Sequence, residues 1–162
     1  MGTVGREAAG PQVDEIIDLL NQGIAAEIND AYRYLMLSTI AAGVHAPAVV
    51  KMFARTAQDE WRHVGVLTER VAQLGGTPLA SPSEAGARAY TEYRPAPKDP
   101  ADLWTMLNDS LEGERAAIRY YRDLFERTQH TDPVTAQIAR DALADEVDDE
   151  DELERLLANW PG

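Results

Sequence analysis

The sequence predicts an all-α fold, a four-helix bundle with one long crossover between the second and third helices. Three features predict it: four segments of nearly equal length with helical periodicity, short breaks inside the first and last pairs, and a proline-rich stretch of about two dozen residues between the pairs.

The breaks are set by local chemistry. Gly43 to Pro47 ends the first segment. Gly75-Gly76 reads as a helix stop and opens a stretch holding Pro78, Pro82, Pro95, Pro97 and Pro100, and Thr131-Asp132-Pro133 separates the last two segments. Asp99-Pro100 and Asp132-Pro133 each read as an N-cap followed by proline at the first helical position, where no backbone donor is needed. These signals place helices at 13–42, 47–75, 100–129 and 133–159. At about 1.5 Å per residue each is roughly 40 Å long. Short connections make the members of each pair antiparallel. The crossover is long enough to run the length of the bundle, and Tyr90 and Tyr93 are expected to pin it.

The 162 residues suit one domain, taken as 1–162, and the 44% hydrophobic content can fill its core. The 28 acidic residues against 15 Lys and Arg give a net charge of −13, which repels phosphate backbones and suits cations. Lys51 and Lys98 are the only lysines, so no lysine-rich tail offers a nucleic-acid contact. The absence of cysteine excludes disulfides, zinc–thiolate sites, iron–sulfur clusters and thiol catalysis. Met1 to Gly10 lacks an apolar signal core, and no apolar run approaches the ~18 residues of a membrane span, so a soluble, cytoplasmic protein is expected.

Read at bundle spacing, the inward face of the first helix is Leu20, Ile24, Glu27, Ala31 and Tyr34; of the second, Phe53, Thr56, Glu60, His63 and Leu67. The third gives Leu107, Leu111, Glu114, Ile118, Tyr121 and Phe125, and the fourth Ala139, Ala142, Glu146, Asp149, Leu153 and Leu156. A glutamate interrupts each face near the helix midpoint, so all four meet at one level whatever the helix directions. Four unpaired carboxylates in a core are costly through desolvation and repulsion, and two divalent cations would balance them. Glu60-Trp61-Arg62-His63 adds a histidine one turn on, the i, i+3 pairing of di-iron carboxylate bundles.

Asp149 stands where symmetry with His63 would put a second histidine. Its oxygen lies as many bonds from Cβ as a histidine Nδ1, so it is expected to ligate the second metal and to favour the trivalent state; the alternative is a solvated carboxylate beside Asp148, Glu150 and Asp151. Tyr34 is either a core aromatic or a hydrogen-bonding residue near the metals. His45 and His130 fall at the bundle ends, and Glu112 lies on another face than Glu114. The acidic stretch from Asp141 to Glu154 either lines an interior or pore or forms a solvated face.

The chain resembles the ferritin superfamily, and most closely Dps-like proteins with a bacterioferritin-type site. The resemblance rests on Gly2 to Glu7, Glu60 to His63, Leu74 to Pro78, Leu111 to Arg115 with Ala117-Ile118, Asp132 to Thr135 and Asp145 to Val147. It implies a ferritin-like fold and a hollow dodecameric shell that oxidises Fe(II), often with hydrogen peroxide, stores Fe(III) mineral and protects against oxidative damage. It implies two iron ions (manganese is the alternative) on Glu27, Glu60, His63, Glu114 and Glu146. Three departures stand out besides Asp149. Ala116 occupies a position where the family often has cysteine. Trp61 follows Glu60 where bacterioferritin has its haem-binding methionine, so no haem is expected. The chain stops soon after the fourth helix, which favours the smaller shell. Two other readings stay open: a di-metal oxidase, peroxidase or catalase-like enzyme on the same bundle, and a metal-free structural bundle.

Overall fold

The computed structural model describes residues 3–160. Met1, Gly2, Pro161 and Gly162 lie outside the described residues, and so do the ends of the predicted 1–162 domain and the first residue of the opening motif. Six α-helices follow in order: α1 (Thr3–Ala8), α2 (Val13–Ile40), α3 (Ala46–Gln73), α4 (Ala85–Arg88), α5 (Leu103–Thr128) and α6 (Pro133–Ala158). The four long ones are the predicted helices. A 3₁₀ turn at Pro82–Glu84 leads into α4 within the crossover. Among the described residues there is no strand, and no helix is long and apolar enough to cross a membrane.

Two helix boundaries follow the expected chemistry and one departs from it. Gly75 follows the end of α3 with φ +79°, the left-handed conformation that glycine adopts without strain. Asp132 caps α6, accepting from the Thr135 N–H at 3.1 Å, with Pro133 in the first turn. The α5 cap is Asp102, not Asp99: its carboxylate accepts from the Thr105 N–H at 3.1 Å. Asp99 instead closes a preceding turn, taking the Ala101 N–H on its carboxylate and the Asp102 N–H on its carbonyl. Both aspartates have cap chemistry, and the competing turn decides between them.

The long helices pack α2 against α3 and α5 against α6. Two apolar clusters fill the bundle. One joins the first half of α2 (Leu20, Ile24) to the last halves of α3 and α5 (Leu67, Val71, Tyr121, Leu124) and the first half of α6 (Ala139, Ala142). The other joins the opposite halves, through Tyr34, Leu37, Phe53, Leu107, Leu111 and Leu153. Hence α2 and α6 run one way and α3 and α5 the other. The crossover must therefore travel from one end of the bundle to the other, and it is tied at its far end where the Ala42 N–H donates to the Pro100 carbonyl at 2.8 Å. Tyr90 pins its middle by stacking on Tyr120 at 4.3 Å between ring centroids, whereas Tyr93 is partly exposed. Tyr120 in turn donates to the Leu19 carbonyl and fills the space over Gly23, where a Cβ would lie 2.5 Å from its hydroxyl.

One strong ion pair closes an end of the bundle. Arg70 is buried on α3, and its guanidinium donates to both Asp132 oxygens at 2.8 and 2.9 Å and to Thr135 Oγ1 at 2.9 Å. Burial works to raise the Asp132 pKa, but the Arg70 and Thr135 donors outweigh it and hold the carboxyl below its usual range.

Candidate metal centre

Between the two apolar clusters lies a polar layer. Glu27, Glu60, Glu114 and Glu146 each stand at or beside the midpoint of a long helix, and all four are buried. With His63, also buried, they form one contiguous group of ionisable side chains. Glu27, Glu60, His63 and Glu146 can each direct a ligand atom into a space where these atoms lie within 4.8 Å of one another. Three carboxylate oxygens converge on one ring nitrogen: His63 Nδ1 is 3.2 Å from Glu146 Oε1, 3.3 Å from Glu60 Oε2 and 3.6 Å from Glu27 Oε2. Glu146 Oε1 is buried, with the His63 ring nitrogen as its polar neighbour.

Protons balance the charge within the protein. Burial pushes Glu60 well above the usual carboxylate range, aided by the Glu146 and Glu27 charges, and it shares a hydrogen bond with Glu27. Burial also raises Glu27, yet hydrogen bonds from His63, Glu60 and Tyr121 prevail and leave it lowered. Glu114 repeats the pattern, raised by burial and the Glu146 charge and hydrogen-bonded to Glu146. Glu146 is itself raised by burial, with the His63 hydrogen bond opposing. Burial disfavours the charged imidazole of His63, but the Glu146 and Glu27 carboxylates outweigh this and push its pKa up to about 11. Without a metal the layer thus favours retained protons on Glu60, Glu114 and Glu146 and a charged imidazole. A divalent cation can replace those protons, because deprotonated carboxylates and a neutral imidazole are hard-metal ligands.

Neighbouring side chains hold the ligands. Tyr34 donates its hydroxyl hydrogen to Glu114 Oε1, and Tyr121 donates to Glu27 Oε1. Tyr34 is thus a hydrogen-bonding residue at the site as well as part of an apolar cluster. Asp145, unforeseen from the sequence, lies 3.2 Å from His63 Nε2 and accepts from Arg62 Nη2 at 2.9 Å. It fixes the ring so that Nδ1 faces the carboxylates. Its signal was its place immediately before Glu146, which sets it beside the inward face. Asp30, one turn beyond Glu27, was also missed; burial and the Glu27 charge raise its pKa to about 7.

Asp149 sits at the rim. Its carboxylate accepts from Arg55 Nη2 at 2.9 Å, and the same nitrogen reaches Glu152 at 2.6 Å. Burial raises its pKa to about 6 against the opposing Arg55 charge. It lies outside the four converging groups, while its charge still acts on Glu114 and Glu146. Arg55, on the turn before Glu60, carried no sequence signal beyond its charge. His45 meets Trp160 edge-on, and both His45 and His130 are exposed at the bundle ends; Glu112 pairs with Arg115 on the surface.

A cleft of about 120 Å³ between α3 and α6 reaches His63 and Tyr121, past Arg62, Val66, Ile138 and Asp141. Small-molecule pockets usually measure ~300–1,000 Å³, so this opening suits a small oxidant or an ion more than an organic substrate.

Comparison with known proteins matches this architecture. A family model described as ferritin-like domain matches residues 17–162. A DNA protection during starvation protein from Pyrococcus furiosus is 28% identical over 155 residues, covering 96% of this chain and 83% of its own length. A bacterioferritin-related protein from Bacteroides fragilis, described as a dodecameric thioferritin, superposes with a TM-score of 0.87 at 27% identity, over 91% of this chain and 86% of the other. A ferritin-like di-iron-carboxylate protein from Bacillus anthracis gives a TM-score of 0.75 at 25% identity, covering 91% of this chain and 99% of the other.

Proposed function

From the premise that this chain belongs to the ferritin-like domain family, we propose that it oxidises Fe(II) at an intra-subunit two-metal carboxylate site and sequesters the product. The observation that carries this reading is the convergence of three carboxylate oxygens on His63 Nδ1 in a buried layer that lies between two apolar clusters. Burying so many acids without a lysine or arginine among them is costly, and bound cations offset that cost. Iron here is substrate and cargo; bound Fe(II) would supply the electrons that dioxygen or hydrogen peroxide takes up.

The protein's own side chains divide the work. Glu27, Glu60, His63 and Glu146 would hold one ion, and Glu114 and Asp149 with Glu146 would hold the second. Carboxylates and one imidazole form a hard, anionic set, which stabilises Fe(III) over Fe(II) and so favours electron loss. Tyr34 and Tyr121 are positioning residues that fix Glu114 and Glu27. The bundle is proposed to assemble as a hollow homo-oligomeric shell, a dodecamer like the Bacteroides fragilis thioferritin. The −13 charge argues that the shell does not bind DNA.

Iron retained per subunit after aerobic Fe(II) addition tests the reading. A storage protein keeps many more ions than its site holds. Retention of two or fewer with continued turnover would favour a small-molecule oxidase or peroxidase, and no bound metal would leave a structural bundle. Light scattering checks the shell, and a mobility-shift assay at physiological salt checks the DNA claim.

A further inference from the structure

The two flanks of the carboxylate layer are not in the same state. On the first flank, His63 is already oriented: Asp145 holds Nε2 and Nδ1 faces three carboxylates. On the second flank, Glu114 and Glu146 are both buried, but Glu114 accepts from the Tyr34 hydroxyl and Glu146 turns Oε1 towards His63 Nδ1 at 3.2 Å. The remaining carboxylate of that flank, Asp149, is only 15% exposed in its side chain, yet it is bound to the half-exposed guanidinium of Arg55. Arg55 reaches it from α3 within an acidic cavity of about 250 Å³ that Arg55 lines together with Asp59, Asp145, Asp148, Asp149 and Glu152.

We infer that the two cation positions fill unequally: the His63 position is preformed, whereas the second, between Glu114, Glu146 and Asp149, forms only when an incoming cation displaces Arg55 from Asp149. The inference rests on the two-metal reading above. Arg55 and a divalent ion compete for the same carboxylate. A guanidinium is always charged and its donors match carboxylate oxygens, so Arg55 acts as a tethered counter-ion that keeps Asp149 out of the layer. Glu152, already within reach of the same nitrogen, gives Arg55 a place to go once Asp149 leaves. A histidine at position 149 would offer no such competition, because a neutral ring carries no charge to hold the guanidinium. The aspartate therefore does more than substitute for a ligand; with Arg55 it makes the second position conditional on cation supply.

Titration of the metal-free full chain with Co(II), followed by calorimetry and visible absorption, tests this. The native protein should bind two Co(II) in distinct steps. Arg55→Met should tighten the second step by about 5-fold, the scale of one good surface ion pair, and leave the first step unchanged. Arg62→Met removes the same charge at similar exposure from Asp59 and Asp145, and should change the second step by less than about 2-fold. In Asp149→Ala the second step should disappear, and Arg55→Met should not restore it. Equal steps in the native protein overturn the inference, as does an equal effect of Arg55→Met and Arg62→Met, while the two-metal reading stands in either case. Absence of any Co(II) binding overturns that reading and the inference together.

Discussion

Removing the Asp145 side chain should weaken metal binding although Asp145 is not a ligand. Its carboxylate holds His63 Nε2 at 3.2 Å, so it fixes which ring nitrogen faces the site and makes that nitrogen a better donor. Losing such a partner typically costs ~10–100-fold in affinity, or about 1.4–2.8 kcal/mol. Here the low end applies. The Asp145 side chain is 41% exposed, and burial favours its protonation before the Arg62 and His63 contacts hold it lowered, so water can replace part of its contact. Asp145→Ala should thus weaken the first Co(II) by about 10-fold. Asp145→Asn keeps an acceptor and loses only charge, and should cost about 3-fold. Asp148→Ala removes the same charge from an exposed position on the same helix, and should stay within about 2-fold. Competition titration against a chelating dye measures all three. Unchanged affinity in Asp145→Ala, or equal losses in Asp145→Ala and Asp148→Ala, would refute the claim that Asp145 acts through His63.

Glu60→Ala and Glu114→Ala should each slow Fe(II) oxidation by at least about 100-fold, more than an outer contact can cost, while circular dichroism stays helical; native rates in stopped-flow would remove both from the site. Arg70→Met leaves Asp132 buried with only its Thr135 contacts and should cost about 3 kcal/mol, the lower end for a broken buried pair, read by chemical denaturation with metal absent. The pH dependence has a definite sign. Glu60 and Glu114 are raised by burial, and His63 reaches about 11 because its carboxylate contacts outweigh burial, so the folded metal-free protein binds more protons than the unfolded chain. The His63 contribution is complete below its unfolded pKa of ~6.5 and fades as pH rises towards 11, and the raised glutamates add to the same trend above ~4.5. The thermal midpoint of the metal-free protein should fall from about pH 6 to about pH 8, whereas Co(II) affinity should rise over the same interval with proton release on binding. A midpoint that rises together with affinity would contradict the protonation pattern.

The four long helices were legible because their signals are local and redundant. Glycine and proline punctuate the ends, and Leu20, Leu67, Tyr121 and Leu153 recur at helical spacing; all four are buried. The central glutamates were legible for a different reason: a carboxylate on an otherwise apolar face is conspicuous, and symmetry about the helix midpoint fixes its depth without knowledge of helix direction. What spacing cannot give is competition among neighbours. Asp99 and Asp102 offer the same cap, and the turn between them selects Asp102. Asp149 falls on the inward face by count, but its partner Arg55 is 94 residues away, and only the packing of α3 on α6 reveals the contact. Arg33 is another case. It is buried and donates to Ser110 Oγ and to the Arg94 carbonyl, although arginine in a helix is ordinarily read as solvated.

The placement of the acidic layer between two apolar clusters bears on how the molecule opens. In most helices the ends fray and the middle is the last part to let go. Here the ends are clamped, by Arg70 and Asp132 at one and by the Ala42–Pro100 link at the other. The middle holds four buried glutamates and a histidine where other bundles keep leucine. In the metal-free chain the centre of the bundle is thus its most costly layer, and a cation held by Glu27, Glu60, His63 and Glu146 would tie three helices together at that height. On the proposed function, the protein's rigidity would then be a record of its cargo, greatest when loaded and relaxed at the waist when empty.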